Sequence, residues 1–194
     1  MDIDWPSVKS EIESRLYEDD EPLPVVTDDL AALVRARPTG PVTSQLPWER
    51  LGPDDFERLM LELLRQAPGY ENPNLLMPTN ATDRGRDVEA IRVAEDVLAG
   101  SKRYRVIVQC KHWREKSVGR SELVNCIEAV KLWEPPRVDV LVVATTGRFS
   151  QDSVATAESR NHRGDLPTVA LWPDVHLEHL LAVRPSIAAA FGLR

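Results

Sequence analysis

Three polar residues in the middle of the chain have types and a spacing that suit phosphodiester hydrolysis. Asp87 begins one apolar run, and Gln109 and Lys111 close the next, residues 104–111. A divalent cation held by hard oxygen ligands polarises a phosphate and lowers the pKa of an attacking water. Asp87 can anchor such a cation, with the Gln109 side chain and the Cys110 backbone carbonyl as further ligands. Lys111 can orient the water or offset charge on the phosphate; the alternative is an acid and a base that are simply solvated at two strand ends.

Two strands are predicted to carry these residues. Residues 88–93 and 104–111 are rich in β-branched side chains. In the second strand a period of two puts Val106, Val108 and Cys110 on one side. The other side carries Arg105, Ile107, Gln109 and Lys111. If the two strands pair, Asp87 meets Gln109 and Lys111 at one end of the sheet.

An upstream helix contributes a further carboxylate. It is predicted to begin at Gly52-Pro53-Asp54-Asp55, with proline at the first helical position and acids in the first turn. Its apolar stripe follows the helical period, and Glu57 falls on the flank of that stripe. A carboxylate among leucines is costly to bury without a partner, so Glu57 is a candidate second metal ligand, direct or through water. The alternative places Glu57 at the core boundary, reaching water.

The remaining pattern predicts an α/β fold. A short strand is expected at 74–77. Helices are expected to start at caps Ser121, Ser150 and Asp174, and strands at 138–144 and 168–171 separate them. The resulting order, α–β–β–β–α–β–α–β–α, indicates a mixed central sheet flanked by helices.

The chain is expected to consist of two parts. Residues 1–45 form an acidic, helical N-terminal extension with a Pro-rich linker, and residues 46–194 form the main domain. No apolar run approaches the ~20 residues of a membrane span. The acidic start Met1-Asp2-Ile3-Asp4 and the two cysteines without metal-ligand spacing indicate a cytoplasmic protein.

The charge is unevenly distributed. The net charge is −7, yet residues 101–120 contain seven basic residues and one acidic residue. A local basic surface on an acidic protein can bind phosphates, because the field at the contact outweighs the total. The residues proposed to bind nucleic acid are Arg84, Arg86, Arg105, Trp113, Arg114, Lys116 and Arg120. The alternative is a solvated strand edge decorated with lysine and arginine.

Several short motifs resemble those of the Mrr-type restriction endonucleases, members of the PD-(D/E)xK nuclease superfamily. The resemblance covers roughly residues 48–183 in order. It rests on Phe56-Glu57, Asp83-Arg84-Gly85-Arg86-Asp87, Val108-Gln109-Cys110-Lys111, Thr145-Thr146-Gly147-Arg148-Phe149-Ser150 and Thr168-Val169-Ala170-Leu171-Trp172.

The resemblance implies a restriction-endonuclease-like core that cleaves DNA with Mg²⁺, or alternatively Mn²⁺, in bacterial restriction or anti-phage defence. Asp87 then looks like the metal-binding aspartate, Gln109 the variant acidic position, Lys111 the catalytic lysine and Glu57 the helix-borne glutamate. The N-terminal part does not resemble a winged-helix recognition domain. A separate recognition or sensor subunit is therefore expected to supply specificity, and a homodimer is expected where both strands are cut.

Two rival functions remain at this point. The neutral Gln109 binds metal less strongly than a carboxylate, which favours a catalytically weak or inactive module for nucleic-acid binding or assembly. A junction or RNA nuclease of the same fold also fits these motifs. His176 and His179 share a helix face, but no third metal ligand is in sight.

Overall fold

The computed structural model describes residues 45–76, 87–96, 98, 100–113 and 115–194. The predicted N-terminal extension lies outside the described residues. Five strands form one mixed sheet in the order β1-β2-β3-β4-β5. The strands are β1 (Tyr70–Leu76), β2 (Asp87–Asp96), β3 (Gly100–Lys111), β4 (Val140–Thr145) and β5 (Thr168–Trp172). Strand β2 is antiparallel to its two neighbours β1 and β3, and β3, β4 and β5 are parallel.

Helices cover both faces of this sheet. They are α1 (Pro53–Arg65), α2 (Arg120–Ala129), α3 (Gln151–Arg163), α4 (Asp174–Ala182) and α5 (Pro185–Ala190), with 3-10 turns at Trp48–Arg50 and Val130–Trp133. The predicted mixed sheet flanked by helices is confirmed. Within the described residues, no helix combines the length and apolar character needed to cross a membrane.

The first apolar layer lies between α1 and one face of the sheet. The predicted stripe of α1, which includes Phe56, Leu59 and Met60, is fully buried. It packs in one cluster with Val106 and Val108 of β3, and with residues of α4 and α5. Burial of side chains of this size contributes about 1.5–3 kcal/mol each. This layer fixes α1 against the face of β3 that carries the valines.

The second apolar layer covers the opposite face. Ile107 of β3 packs there with Leu141 and Val143 of β4 and with the inner residues of α2 and α3. All six residues of β4 are buried, as expected for a parallel strand covered on both sides. Because alternate residues of β3 enter different layers, the predicted two-residue period of this strand is confirmed.

A buried carboxylate ties the segment before α1 to α4. Glu178 is 8% exposed, and its Oε1 accepts the backbone N–H of Leu46 at 3.0 Å and the indole N–H of Trp48 at 3.2 Å. These two donors compensate the cost of removing the carboxylate from water. The contact holds the start of α1 at a defined position relative to the end of the sheet.

Helix termini differ in places from those predicted. The N-cap of α2 is Gly119 rather than Ser121, and the N-cap of α4 is Pro173 rather than Asp174. α2 ends at Ala129 and continues as the 3-10 turn, and α5 follows α4 where no further helix was predicted. Ser and Asp favour caps but are also common in the first turn, so composition alone leaves the start uncertain by a residue or two.

Ser150 is the N-cap of α3, as predicted, and its loss is expected to be measurable. Its Oγ accepts the backbone N–H of Ser153 at 3.2 Å. Ser150→Ala should lower the free energy of unfolding by about 1 kcal/mol in urea denaturation. Ser186→Ala is the matched control, since Ser186 is exposed in α5 and is not a cap, and it should change stability by less than about 0.5 kcal/mol. Equal losses in both variants would contradict the assignment.

Candidate nucleic-acid cleavage site at the end of the central strand

Gln109 and Lys111 lie together on one face of β3. They share the side of Ile107, opposite Val106 and Val108. Gln109 is 6% exposed and Lys111 is half-buried. In the parallel ladder Gln109 pairs with Val143, and Lys111 pairs with Thr145 as the last pair. The two side chains therefore lie where two neighbouring parallel strands end.

The backbone of Asp87 lies beside Gln109. Val88 pairs with Val108 in the antiparallel ladder, so the preceding residue of β2 is next to the following residue of β3. Asp87 also pairs with Leu76 of β1. Its side chain is outside the described part of the chain. The strand pairing on which the sequence prediction depended is thus present.

Glu57 sits in the first half of α1 and is only 7% exposed. Its helix packs on the face of β3 opposite Gln109 and Lys111. The Phe56 ring lies 5.8 Å from the His112 ring, which brings this turn of α1 to the end of β3. Glu57 and the pair Gln109 and Lys111 therefore lie on opposite faces of the sheet. They can reach a common metal ion only past the end of β3. The sequence leaves open whether Glu57 is buried or reaches water, and the structure decides both its burial and the face that its helix covers.

The residues just after β3 and β4 are joined to each other. Thr146 Oγ1 and His112 Nδ1 are 3.1 Å apart, and Thr146 is buried. Thr145 Oγ1 accepts the N–H of Gly147 at 3.2 Å. A Cβ at Gly147 would lie 2.2 Å from the carbonyl oxygen of Trp113, so only glycine fits there. No local sequence signal identifies this close approach, because it depends on two segments 34 residues apart.

Arg105 is part of the fold rather than of an open surface. Its guanidinium forms an ion pair with Glu89 at 2.5 Å, donates to the carbonyl of Pro136, and has a side chain only 11% exposed. Its backbone N–H donates to Asp139 Oδ2 at 2.9 Å. A buried and paired guanidinium is costly to extract, so Arg105 is less suited to contact nucleic acid than an exposed cation, and the contact stays a prediction.

Trp113 and Lys116 form a unit in the loop after β3. Lys116 Nζ lies 4.6 Å from the centre of the Trp113 ring and 2.6 Å from Glu122 Oε1. The hydrogen bond from Lys116 lowers the pKa of Glu122 from 4.5 to about 2, with help from the backbone and the Ser121 hydroxyl. Glu122 is the third residue of α2, where a carboxylate also favours the helix N-terminus. The lysine head is therefore held over the indole face.

The Lys116–Glu122 pair should give a recognisable acid dependence. Because the pKa of Glu122 is lowered by folding, the pair stabilises the fold above about pH 4.5, and this contribution disappears as the pH falls towards about 2. Wild type should therefore exceed Glu122→Gln in thermal midpoint near neutral pH, and the difference should vanish across this acid range. Glu128→Gln removes an exposed pair with Lys131 and is the control. A difference between wild type and Glu122→Gln that stays constant with pH would contradict the assignment.

The other predicted nucleic-acid residues are exposed or undescribed. Arg120 is exposed at the start of α2 and lines a shallow groove of about 260 Å³ with Arg163, Thr156 and Ser159. Arg84, Arg86 and Arg114 lie outside the described residues. We define the basic surface as Trp113, Lys116 and Arg120, with these three arginines as further predicted members.

A larger groove of about 620 Å³ opens beside Thr146 and Gly147. Its lining includes two cations, Lys116 and Arg148. It also includes three carboxylates, those of Glu49, Glu115 and Asp174. Acids outnumber bases here, so the groove does not extend the basic surface as a phosphate-binding region.

The oxygen donors at the strand end suit a hard cation. Gln109 supplies an amide oxygen, Cys110 a carbonyl and Glu57 a carboxylate, the ligand types that Mg²⁺ prefers. Among the residues that the structure describes, no three His, Cys, Asp or Glu side chains are grouped to hold a metal ion. For the described part of the chain this also leaves His176 and His179 without a third ligand.

His176 has a structural environment of its own. Its ring lies 5.4 Å from that of Trp172. Burial lowers its pKa, and His179 on the same helix face lowers it further. His176 therefore lies beside Trp172 at the end of β5, and both histidines remain exposed.

Comparison with known proteins places this region in a family. The family model Mrr_cat, described as a restriction endonuclease, matches residues 48–181. A search of the curated proteins finds no match.

Two solved structures are similar to the chain. One is a DNA modification-dependent restriction endonuclease, AspBHI, at 16% identity and a TM-score of 0.46, covering 91% of this chain and 49% of that one. The other is the MspJI restriction endonuclease in complex with a 27-mer oligonucleotide, at 16% identity and a TM-score of 0.42, covering 69% and 30%. The chain thus spans about half of the first and less than a third of the second.

Proposed function

Since the chain belongs to the restriction endonuclease family, we propose that it hydrolyses DNA phosphodiester bonds with a divalent metal ion at the end of β3. The observation that carries the proposal is the juxtaposition of three residues in the matched region. Gln109 and Lys111 share one face at the end of β3, and the backbone of Asp87 lies beside Gln109. These are the residue types that metal-assisted phosphodiester hydrolysis needs.

The proposed metal ligands are the Asp87 carboxylate, the Gln109 side-chain oxygen and the Cys110 carbonyl, with Glu57 direct or through water. A bound Mg²⁺, or alternatively Mn²⁺, polarises the scissile phosphate and lowers the pKa of the attacking water. Glu57 and Gln109 are both buried, so their oxygens are shielded from bulk water. Electrostatic interactions with a phosphate are stronger in such surroundings than in open solvent.

Lys111 is proposed to act on the phosphate and on the water. It is half-buried, which keeps its ammonium at the edge of the sheet where a backbone phosphate can approach. A cation at this point offsets the negative charge that grows in the transition state. Its backbone is held by the last pair of the β3–β4 ladder, so the start of its side chain is well defined.

The basic surface is proposed to grip the DNA backbone next to the site. Trp113 lies two residues after Lys111, and the Lys116 head is held over its ring. Lys116 and Arg120 supply charge for phosphates, whereas Trp113 offers an aromatic face for an exposed base once Lys116 moves. Binding through these cations should weaken as salt increases.

One rival function keeps a specific observation in its favour. Gln109 is a neutral amide where a carboxylate would bind metal more strongly, which fits a nucleic-acid-binding or assembly module without catalysis. Metal titration by calorimetry separates the two functions. The nuclease predicts a binding site that is lost in Asp87→Ala, and the module predicts no such site.

The direct test is cleavage of supercoiled plasmid. The full chain is incubated with Mg²⁺, Mn²⁺ or EDTA, and nicked and linear products are followed over time. We expect nicking with either metal and none with EDTA. RNA and branched DNA serve as competing substrates, because a preference for either would redirect the proposal to an RNA or junction nuclease. No cleavage of any substrate, in wild type at high protein concentration, would favour the binding module.

A defence role and a partner complete the proposal. One site cuts one strand, so a double-strand break requires a homodimer or two encounters, and a separate recognition or sensor subunit would supply the target. Restriction or anti-phage defence in bacteria is the setting that we propose. Protection of cells against phage by the wild-type chain, lost in Lys111→Ala, is the corresponding measurement.

A further inference from the structure

We propose that His112 and Thr146 form a positioning pair that fixes the end of β3, and through it Lys111, against the end of β4. This inference rests on the proposed cleavage function, in which Lys111 must be held at the phosphate. Neither residue is proposed to touch the DNA or the metal. Their role is to act through the backbone of Lys111.

The pair continues the strand register by one step. The β3–β4 ladder ends with Lys111 and Thr145. His112 and Thr146 are the next residue of each strand, and they are joined by side chains, Oγ1 to Nδ1, at 3.1 Å. The last pairs of a ladder open more easily than its centre. The side-chain hydrogen bond immediately beyond Lys111 therefore keeps the last pair of the ladder closed. Lys111 belongs to this pair, and its position relative to the phosphate must be well defined.

Both partners are fixed by further contacts. Thr146 is 4% exposed, and the His112 ring packs at 5.8 Å from the buried Phe56 ring. Trp113 donates its N–H to the carbonyl of Lys111 at 2.8 Å, so the chain turns tightly just after the strand. Gly147 approaches the Trp113 carbonyl from the β4 side. The pair thus lies between a packed helix and two backbone contacts rather than on a free loop.

The arrangement favours positioning over direct catalysis by His112. Successive strand residues point to opposite faces, and the Phe56 contact puts His112 on the α1 side, away from Lys111. A catalytic lysine must be held within about 0.5 Å of its productive place, and a shift of about 1 Å can cost a hundredfold in rate. The hydroxyl of Thr146 is therefore expected to affect turnover without affecting DNA affinity.

The test compares two substitutions at Thr146 in the full chain. Thr146→Val removes the hydroxyl with little change of shape, whereas Thr146→Ser retains it. We expect Thr146→Val to lower kcat of plasmid nicking by about tenfold to a hundredfold, with KM and DNA affinity changed by less than about threefold. Thr146→Ser should stay within about threefold of wild type in kcat. Thermal midpoints measured in parallel exclude unfolding as the cause.

A second pair of variants tests His112 itself. The polar atoms of asparagine stand at the position of Nδ1, and those of glutamine at the position of Nε2. His112→Asn should therefore retain more turnover than His112→Gln. The opposite order would overturn the assignment of the Nδ1 contact.

Hydrogen exchange separates failure of this inference from failure of the proposed function. Backbone amides of residues 111–113 should exchange faster in Thr146→Val than in wild type or Thr146→Ser, whether or not the chain cleaves DNA. Unchanged exchange in Thr146→Val overturns the positioning pair, even if kcat falls. Faster exchange with undiminished kcat also overturns it, because Lys111 then does not depend on the pair. Absence of cleavage by wild type refutes the proposed function, and the exchange comparison still decides whether the pair holds the strand end.

Discussion

Lys111→Ala is expected to lower the rate of metal-dependent DNA nicking by about a hundredfold to a thousandfold, the usual cost of removing a group that stabilises charge in a transition state. Lys111 is half-buried at the last pair of the β3–β4 ladder, beside Gln109. Its partner in the ladder, Thr145, carries no charge that could replace it. Single-turnover nicking of plasmid under excess protein measures the effect on the chemical step.

The fold should survive this substitution, because Lys111 contributes no side chain to either apolar cluster. Thermal unfolding and DNA binding by fluorescence anisotropy, in EDTA, verify that fold and affinity are retained. Lys131→Ala is the matched control: Lys131 is 70% exposed and paired with Glu128 near the end of α2, remote in sequence from the strand ends. Full cleavage by Lys111→Ala would sink the catalytic assignment, as would an equal loss in the control.

Gly147→Ala is expected to destabilise the fold by about 3 kcal/mol, at the upper end of typical overpacking costs. The added Cβ would lie 2.2 Å from the carbonyl oxygen of Trp113 and 3.6 Å from that of Lys116. Both are backbone atoms, so no change of rotamer relieves the clash. Gly147 is itself held on both sides, by Thr145 Oγ1 at its N–H and by the N–H of Asp174 at its carbonyl, 3.0 Å away.

Urea denaturation of Gly147→Ala measures this cost, with Gly52→Ala as the matched control. Gly52 has an ordinary φ of −85°, and a Cβ there would meet nothing closer than 3.8 Å. The control should lose about 1 kcal/mol or less, the cost of alanine at a helix N-cap. If Gly147→Ala unfolds like the control, the Trp113 carbonyl is free to withdraw, and the loop after β3 is not fixed in the way the structure indicates. If the Gly147→Ala variant folds with the loop after β3 displaced, Lys111 should shift as well, and the rate of cleavage should fall.

Much of the fold could be predicted from local patterns. The burial of an element can be read from its own residues. Examples are the helical period of α1, the alternation in β3 and the continuous β-branched run of β4. Ser150 was recognised as a cap because its chemistry acts on the next three residues. The order of elements and the match of several short motifs indicate the restriction endonuclease family, which the family model confirms.

Other features were decided only by tertiary structure. Arg105 and Lys116 look alike in sequence, yet one is enclosed by Glu89 and Pro136 and the other remains 65% exposed. The helical period puts Glu57 on the flank of the apolar stripe, but the burial of its side chain, and the face of the sheet that its helix covers, depend on how α1 packs. The reason is physical: periodicity is a property of a segment, whereas the partner of a charge depends on distant segments that meet only in the folded chain.

The strand end shows the same division most clearly. Gln109 and Lys111 share a face because they are two residues apart in one strand, which any reader of the sequence can see. Two other features depend on the register between β3 and β4. One is the contact of His112 with Thr146, and the other is the need for a residue without a side chain at Gly147, beside Trp113. Register is set by the packing of both apolar layers at once, so the sequence determined which residues can do the chemistry, and the tertiary structure decided what holds them in place.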